Sequence, residues 1–353
     1  MPIRFAKRPI EGGVLNPRTP RLNTLLHLCL YWYNVPAIRG IAADAIKYGQ
    51  AFGADRLWCV LQGPTQIRLA LPVARGLGIP MITEVFDPPS WWLRSLSADG
   101  LSRRRVTSDF SKAIRRSRVC ATASWPMAQK YREQYGVKTV AFLPSLDPSI
   151  AAPVGTGIHP GHDLVIGLAG QMYATEEWQA LLAALDFVEW KIAGRDVRIR
   201  LLGRWIGFNV NGPVRIEYLG WQTQEKAVRL MSEADILYLP YWLDPQFETE
   251  ARLSFPSKLT TYLAAGRPVL FHGPTYASPA IFLKENDAGF FCHSSEPSQI
   301  IDALTRLTTD VSLYCRLAQN GRLAFDKYLT LSSLHRSFAE FLQVEEDLLA
   351  PTA

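Results

Sequence analysis

The stretch from Phe255 to Pro274, FPSKLTTYLAAGRPVLFHGP, constrains the fold more than any other part of the chain. Its pattern predicts a loop, a short helix, a tight turn and a buried strand, in that order. Leu259, Tyr262 and Leu263 form an apolar stripe at helical spacing, and Gly266 suits the left-handed residue that ends a helix. The order of these signals predicts a helix N-terminus that is suited to hold an anion.

Lys258 places a positive charge in the first turn of that helix, where the helix dipole disfavours a cation by about 0.3–1 kcal/mol. A bound phosphate reverses this effect, because free backbone N–H groups at residues 257–259 and the Lys258 ammonium then converge on one anion. Thr261 lies three residues further on, on the same helix face. An isolated Ser-Lys pair is more often a solvated surface site, so both interpretations stay open on these residues alone.

The whole segment resembles the nucleotide-sugar motif of GT-B glycosyltransferases, in particular the large retaining family 4 group, in which many members read P-S/T-K-L-x-E-Y-L-A-A-G-x-P-V. The matching positions here are Pro256, Ser257, Lys258, Leu259, Tyr262, Leu263, Ala264, Ala265, Gly266, Pro268 and Val269. Thr261 stands where the family has the carboxylate that holds the ribose hydroxyls, and Leu253 stands where a glutamate often lies eight residues earlier. A threonine hydroxyl bonds a ribose less strongly than a carboxylate does.

Length and composition predict a globular protein of about two domains, since the chain has 353 residues, 48% of them hydrophobic. The five cysteines are scattered without a CxxC pair, and the six histidines form no ligand cluster with them, which favours reduced thiols and no zinc site. No apolar run reaches the ~18–20 residues that a bilayer span needs, and residues 1–10 lack the apolar core of a signal peptide. We therefore expect a cytoplasmic protein.

The net charge of +6 includes arginine clusters at 103–105 and 115–118. Such clusters are usually solvated faces, and no nucleic-acid recognition motif accompanies them. Trp91, Trp92 and Leu93 are close to these arginines in the sequence, and aromatic residues beside basic ones are typical of a membrane interface. We expect no nucleic acid partner, and an anionic membrane surface is a candidate partner; the alternative is that the tryptophans cover the core.

The order of strand and helix signals predicts two Rossmann-like domains. Residues 1–23 read as an irregular arm. The first domain, 24–145, opens an alternation of strands and helices with an apolar run at 25–31, a helix at 37–52 and a strand at 56–61. Residues 146–162, rich in proline and glycine, read as a linker to a second domain at 163–330.

Four candidate site residues follow predicted strands. Asp87 ends the strand 80–86, and open α/β sheets bind ligands beyond the carboxyl ends of their strands. Asp87 fits a proline turn equally well, and Phe86 replaces a histidine that relatives often carry before this aspartate. Gly170 and Gln171 follow the strand 163–168, where relatives approach the diphosphate or sugar and often supply a cation that is missing here. Arg204 is a candidate for that cation, although surface arginines are common in such loops.

Tyr241 follows the strand at 235–240 and offers a ring against which a base could pack, although aromatic residues more often belong to the core. With Gly170, Gln171, Arg204, Pro256, Ser257, Lys258 and Thr261, it completes the predicted donor site.

The resemblance implies a GT-B architecture: two Rossmann-like domains with parallel sheets that face a central cleft, and a C-terminal helix in 331–353 that crosses back to the first domain. It implies transfer of a sugar from a nucleotide-diphosphate donor to a glycan, lipid-linked or other cell-surface acceptor, with retention. No metal or other cofactor is expected, because helix N-termini and basic side chains stabilise the leaving diphosphate. Lys258 would do so, and Asp87 would orient the acceptor or the donor sugar.

Two other functions remain open on the sequence. The chain could be a catalytically inactive GT-B protein that binds a partner, since Thr261, Leu253 and Phe86 replace polar residues of the family and the loop 171–174 is uncharged. A GT-B sugar epimerase would need catalytic carboxylates and a histidine, a set that the sequence does not offer.

Overall fold

The computed structural model describes residues 6–7, 9, 20–96, 98, 100–158, 161–204 and 215–344. The described residues divide into two compact units. The first runs to Phe142 and resumes at Ser337, and the second runs from Leu143 to Arg336. None of the helices in these ranges is long and apolar enough to cross a membrane.

The first unit is built on a parallel sheet of four strands in the order β1-β2-β3-β4. The strands are β1 (Leu57–Val60), β2 (Met81–Val85), β3 (Val119–Thr122) and β4 (Lys138–Ala141). The helices are α1 (Pro20–Phe52), α2 (Pro64–Leu77), α3 (Pro89–Ser95), α4 (Gly100–Arg116) and α5 (Trp125–Tyr135). Each crossover between neighbouring strands contains a helix, which is the usual connection between parallel strands.

Helix α1 corrects the sequence interpretation of the N-terminal part. The apolar run 25–31, expected to open the alternation with the helix 37–52, and residues 20–23, expected to be irregular, all lie in one helix of 33 residues that continues through Pro36. A short apolar run has the same pattern in a strand and in a helix, so periodicity does not separate the two. The packing of α1 against α2 and α4 stabilises this run as a helix. Most of the rest of the predicted arm lies outside the described residues.

Trp92 and Leu93 correct a second expectation, since both are buried in the first unit. The tryptophan pair at 91–92 therefore does not offer two exposed rings beside the arginines of α4. The C-terminal residues of the described chain also pack into this unit: Phe338 stacks on Phe142 with 4.6 Å between ring centroids, and Phe341 meets Trp58 edge-on.

The second unit is built on a larger sheet in the order β11-β10-β9-β5-β7-β6, with β8 also paired to β7. All of these pairs are parallel except β6 with β7. Its strands are β5 (Leu164–Leu168), β6 (Lys191–Ile192), β7 (Arg195–Leu202), β8 (Ile216–Gly220), β9 (Ile236–Pro240), β10 (Val269–His272) and β11 (Gly289–Cys292). The two sheets confirm the predicted α/β class with parallel strands.

The helices of the second unit are α6 (Thr175–Phe187), α7 (Gln224–Ser232), α8 (Glu248–Leu253), α9 (Ser257–Ala265), α10 (Ser278–Glu285), α11 (Pro297–Thr309), α12 (Val311–Tyr328) and α13 (Leu331–Leu342), the last of which ends in the first unit. The residues expected to form a linker belong to this unit. Ala152 and Gly155 donate their backbone N–H groups to the carbonyls of Ala264 and Gly266, at 2.9 and 2.8 Å. The end of α9 is therefore held by the segment that enters the unit.

Candidate functional site

A pocket of about 350 Å³ lies in the second unit, at the carboxyl ends of β5, β7 and β8 and at the N-terminus of α9. Its lining residues are Ala169, Gly170, Gln171, Tyr173, Leu202, Gly203, Trp221, Gln222, Gln224, Ala227, Pro256, Ser257, Lys258 and Thr261. Six of the predicted donor-site residues meet here, namely Gly170, Gln171, Pro256, Ser257, Lys258 and Thr261. This is the edge at which open parallel sheets bind ligands.

Two glycines bring the ends of neighbouring strands together at the pocket. Gly170 follows β5, has φ +86° and donates its N–H to the carbonyl of Leu202 at 3.0 Å. Gly203 follows β7 and has φ +104°, and a Cβ at this position would lie 2.6 Å from the carbonyl oxygen of Gly170. Only glycine fits both the backbone conformation and this space. The two loops therefore form a close, side-chain-free wall that a ligand can approach.

Helix α9 points its N-terminus at this wall. The helix runs from Ser257 to Ala265 and ends at Gly266 in the left-handed conformation, as the sequence predicts. Pro256 precedes the first turn, and no side chain caps it. The first N–H groups of an α-helix lack intrahelical partners and carry partial positive charge. The N–H of Leu259, one of the three groups expected to be free, donates to the carbonyl of Pro256 at 3.0 Å. With no side-chain cap, the start of α9 is suited to hold an anion.

Tyr262 fixes the distance between α9 and the loop after β5. Its ring is fully buried, and its hydroxyl accepts the N–H of Ala169 at 2.8 Å and donates to the carbonyl of Tyr238 at 3.2 Å. One side chain of α9 thus joins the helix to the residue that follows β5 and to the middle of β9. Gly170 consequently lies against the stem of Lys258, where a Cβ would be 3.7 Å from its Cε.

Lys258 is the only cation that lines the pocket among the described residues. Its side chain is 7% exposed; its Nζ donates to the carbonyl of Gln171 at 2.8 Å and lies 4.6 Å from the ring centroid of Tyr173. No aspartate or glutamate lines the pocket with it in the described part of the chain. Burial lowers the pKa of Lys258 to about 7. Desolvation thus disfavours the charged form of Lys258, and an anion in the pocket would favour that form again.

Thr261 lines the pocket one turn after Lys258 and is buried. Its Oγ1 accepts a hydrogen bond from Nε2 of Gln224, the first residue of α7, at 3.0 Å. A hydroxyl and an amide from two helices therefore occupy the position at which the motif resemblance implies a carboxylate. Both groups donate and accept, so together they can bond vicinal hydroxyls without a charge.

Trp221 lies at the mouth of the pocket and is 72% exposed. It follows Gly220, whose carbonyl accepts the N–H of Gly203 at 2.8 Å, so the end of β8 is tied to the glycine wall. An exposed indole at a pocket rim offers a large flat surface to an aromatic ligand.

Three predicted site residues do not line this pocket. Arg204 is exposed and follows Gly203. Tyr241 is 1% exposed, and its ring packs against Tyr173 while its hydroxyl bonds the carbonyl of Ser254. The expectation that this ring meets a base does not fit that burial. Asp87 belongs to the first unit, where its Oδ2 accepts a hydrogen bond from Nε2 of Gln62 at 3.0 Å.

Sequence reasoning missed three residues that shape the pocket. Tyr173 lies in the loop that was interpreted only by its lack of charge. Trp221 could have been found by the criterion that selected Arg204, because both residues lie just after a strand. Gln224 opens a helix 37 residues before Thr261, and no local pattern links the two positions. In the described ranges, no group of three or more His, Cys, Asp or Glu side chains is arranged to hold a metal ion.

Residues 163–310, which contain every residue of the pocket, match the family model described as "Glycosyl transferases group 1". Comparison with curated protein sequences finds no match.

Solved structures resemble most of the chain, across both units. HepE of Anabaena in complex with UDP-glucose superposes with a TM-score of 0.63 at 14% identity, over 86% of this chain and 81% of that one. Sucrose-phosphate synthase from Thermosynechococcus elongatus has a TM-score of 0.65 at 11% identity, over 90% of this chain and 80% of that one. The α,α-trehalose 6-phosphate synthase from Burkholderia multivorans has a TM-score of 0.61 at 14% identity, over 87% of this chain and 74% of that one. The chain therefore has the GT-B fold of two Rossmann-like domains, and its second domain is similar to group 1 glycosyltransferases.

Proposed function

We propose that this protein is a glycosyltransferase that moves a sugar from a nucleotide-diphosphate donor to a glycan, lipid-linked or other cell-surface acceptor. The observation that carries the proposal is the position of Lys258. A buried ammonium, with no acidic residue among the described pocket residues, lies at an uncapped helix N-terminus in the segment that matches the glycosyltransferase family. A buried charge is costly unless it is paired, and a diphosphate is the partner that this arrangement suits.

The leaving diphosphate would bind between the glycine wall and α9. The N–H groups at the start of α9 and the Lys258 ammonium would then meet the charge that develops as the bond from the sugar to the phosphate breaks. Gly170 and Gln171 would lie beside the phosphates or the sugar. The Lys258 ammonium, which now donates to the carbonyl of Gln171, would donate to a phosphate oxygen instead. These groups supply the positive charge that a metal ion supplies elsewhere, so we propose transfer without a metal.

The nucleoside would extend from the diphosphate toward the mouth of the pocket. The Thr261 hydroxyl and the Gln224 amide would bond the ribose hydroxyls, with neutral groups in place of the family's carboxylate. The base would then stack on Trp221, which we assign to this role in place of Tyr241. HepE of Anabaena is solved in complex with UDP-glucose, so uridine nucleotides are the first donors to test.

Asp87 keeps the role that the resemblance implies, and Arg204 keeps the role expected from its position after a strand. Asp87 would orient the acceptor or the donor sugar, and Arg204 would add a second cation for the phosphates. We also propose retention of configuration at the transferred sugar, as in family 4. The anomeric proton signals of a product formed in an NMR tube test this directly, since inversion would give the anomeric configuration opposite to that of the donor.

A second candidate is a protein that binds a nucleotide sugar without transferring it. The neutral pair at Thr261 motivates this candidate, because the family's carboxylate is replaced while the residues for the diphosphate are kept. The two functions differ in turnover: a transferase releases free nucleotide from the donor in the presence of an acceptor extract, whereas a binding protein retains the donor intact.

The experiment that tests the proposal is a calorimetric titration of the full chain with UDP, GDP and ADP, followed by the matching nucleotide sugars. We expect one of these nucleotides to bind at a single site and to stabilise the protein by about 2.7 kcal/mol at 100 times its Kd. A thermal-shift assay measures this. Absence of binding to every nucleotide would refute both candidate functions.

A further inference from the structure

The first unit carries an exposed apolar stripe on α1 that no predicted function uses. Leu22, Leu25, Trp32 and Tyr33 are 55, 58, 61 and 80% exposed, and Cys29 between them is exposed as well. With 3.6 residues per turn, all five lie within an arc of about 100° on the helix. Single exposed apolar residues are ordinary, but a continuous stripe marks a surface that contacts something apolar.

A basic stripe on α4 adjoins the apolar one. Leu101, Arg104 and Arg105 are exposed and share one face of α4 at helical spacing. The guanidinium of Arg105 lies 5.3 Å from the ring centroid of Trp32, which brings the two stripes into contact. Rings, aliphatic side chains and arginines thus form one surface, which we call the α1–α4 surface and define by Leu22, Leu25, Trp32, Tyr33, Leu101, Arg104 and Arg105.

We infer that the α1–α4 surface docks the protein onto an anionic lipid bilayer. Tryptophan and tyrosine are the side chains that settle at the headgroup level, where the ring is half in hydrocarbon and its polar atom remains hydrated. Leucines on the same side would enter the acyl boundary, and the arginines beside them would meet lipid phosphates. The chain's net charge of +6 favours an anionic surface over a neutral one.

Charge complementarity selects the bilayer over a second copy of the chain. A two-fold dimer through this surface would bring Arg104 and Arg105 of both copies into the same interface, without an acidic residue among those that define the surface. Like charges in contact disfavour such a dimer, whereas anionic headgroups neutralise them. The inference does not depend on the proposed function, because the surface and the donor pocket lie in different units.

Vesicle co-sedimentation of the full chain tests the inference. We expect binding to vesicles of phosphatidylcholine with added phosphatidylglycerol, weak binding to phosphatidylcholine alone, and loss of binding as salt screens the arginines. Trp32→Ala with Tyr33→Ala should weaken binding at least ~tenfold, since these rings carry large apolar areas. Arg104→Ala with Arg105→Ala should weaken it about 25-fold, at about fivefold for each cation near an anionic surface.

Matched controls come from the second unit. Phe187 is 78% exposed, so Phe187→Ala removes an equally accessible ring outside the α1–α4 surface. Lys226 and Arg229 are exposed on α7, and Lys226→Ala with Arg229→Ala removes two charges. Both controls should bind vesicles as the wild type does, and thermal unfolding should confirm that all variants fold. The inference is overturned if the wild type binds neither vesicle, if surface and control variants weaken binding equally, or if light scattering shows a dimer that Trp32→Ala with Tyr33→Ala dissociates.

Discussion

Replacement of Lys258 by methionine removes the charge at the start of α9 and keeps an unbranched apolar side chain in its place. The ammonium is expected to give a diphosphate a charge-assisted hydrogen bond worth roughly 1.5–3 kcal/mol, so the Kd for UDP should rise about 10- to 150-fold. Inorganic pyrophosphate, which lacks the nucleoside, should lose affinity by a similar factor. Isothermal titration calorimetry measures both constants, and the exposed Lys226→Met of the same unit is the control.

The same substitution should remove a pH dependence. Because burial lowers the pKa of Lys258 to about 7, the free protein loses this charge as the pH rises above that value. A bound diphosphate favours the charged form, so binding above pH 7 takes up a proton and affinity falls by up to about tenfold per pH unit. Calorimetry in two buffers with different ionisation enthalpies measures the uptake. The phosphates of UDP titrate equally with both proteins, so the difference between wild type and Lys258→Met isolates the lysine.

The pH dependence of the free energy of unfolding is an independent test of the lowered pKa of Lys258. The pKa of Lys258 is lower in the folded chain than its ordinary value of 10.5, so the unfolded chain binds more protons between about pH 7 and 10.5. The free energy of unfolding of the wild type should therefore rise with pH across this window, relative to Lys258→Met. Below pH 7 the methionine variant should be the more stable protein. Equal nucleotide affinity, an unchanged pH profile and an unchanged unfolding temperature would together refute the assignment of Lys258 as a buried cation that awaits an anion.

The remaining predictions concern the wall, the ribose position and the rim of the pocket. Gly203→Ala should lower the free energy of unfolding by about 3 kcal/mol or more in chemical denaturation, because the new Cβ would meet the carbonyl of Gly170. Gly53→Ala is the control: its φ is also positive, at +68°, but no atom lies within 4 Å of the new Cβ, so it should cost about 1 kcal/mol. Thr261→Glu should keep the fold and tighten UDP binding, since Gln224 can donate to the new carboxylate; a large fall in melting temperature would instead mark Thr261 as core. Trp221→Ala should weaken UDP binding but leave pyrophosphate binding unchanged in parallel titrations, and equal loss for both ligands would contradict base stacking.

The sequence predicts the second unit well because its signals are local. Apolar spacing predicts helix α9, the left-handed Gly266 predicts its end, and the apolar run after Pro268 predicts the strand, all within 20 residues. Lys258 stands out for the same reason, since a cation in a first helical turn is unfavourable wherever the helix lies. Local physics was sufficient for these residues, and the α/β class followed from the alternation of such elements.

The sequence fails where distant residues decide. Gln224 reaches Thr261 only because α7 packs on α9, and Tyr262 reaches Ala169 only because the sheet places β5 beside β9. The run 25–31 has no local feature that separates a helix from a strand, and packing on α2 and α4 determines its state. Exposure of a single aromatic ring also depends on distant residues. The sequence therefore left Trp92 open between a membrane interface and the core, and Tyr241 open between a base contact and the core, and both are buried.

Hydrogen–deuterium exchange of the full chain with and without UDP tests the central claim, that the nucleotide diphosphate binds between the glycine wall and α9. Protection is expected in peptides that cover residues 169–173, 220–224 and 256–259, and Lys258→Met should lose it at the same ligand concentration. Peptides of α1 serve as the internal reference and should exchange at the same rate in both states. Protection confined to other parts of the chain, or the same protection in Lys258→Met as in the wild type, would contradict the account.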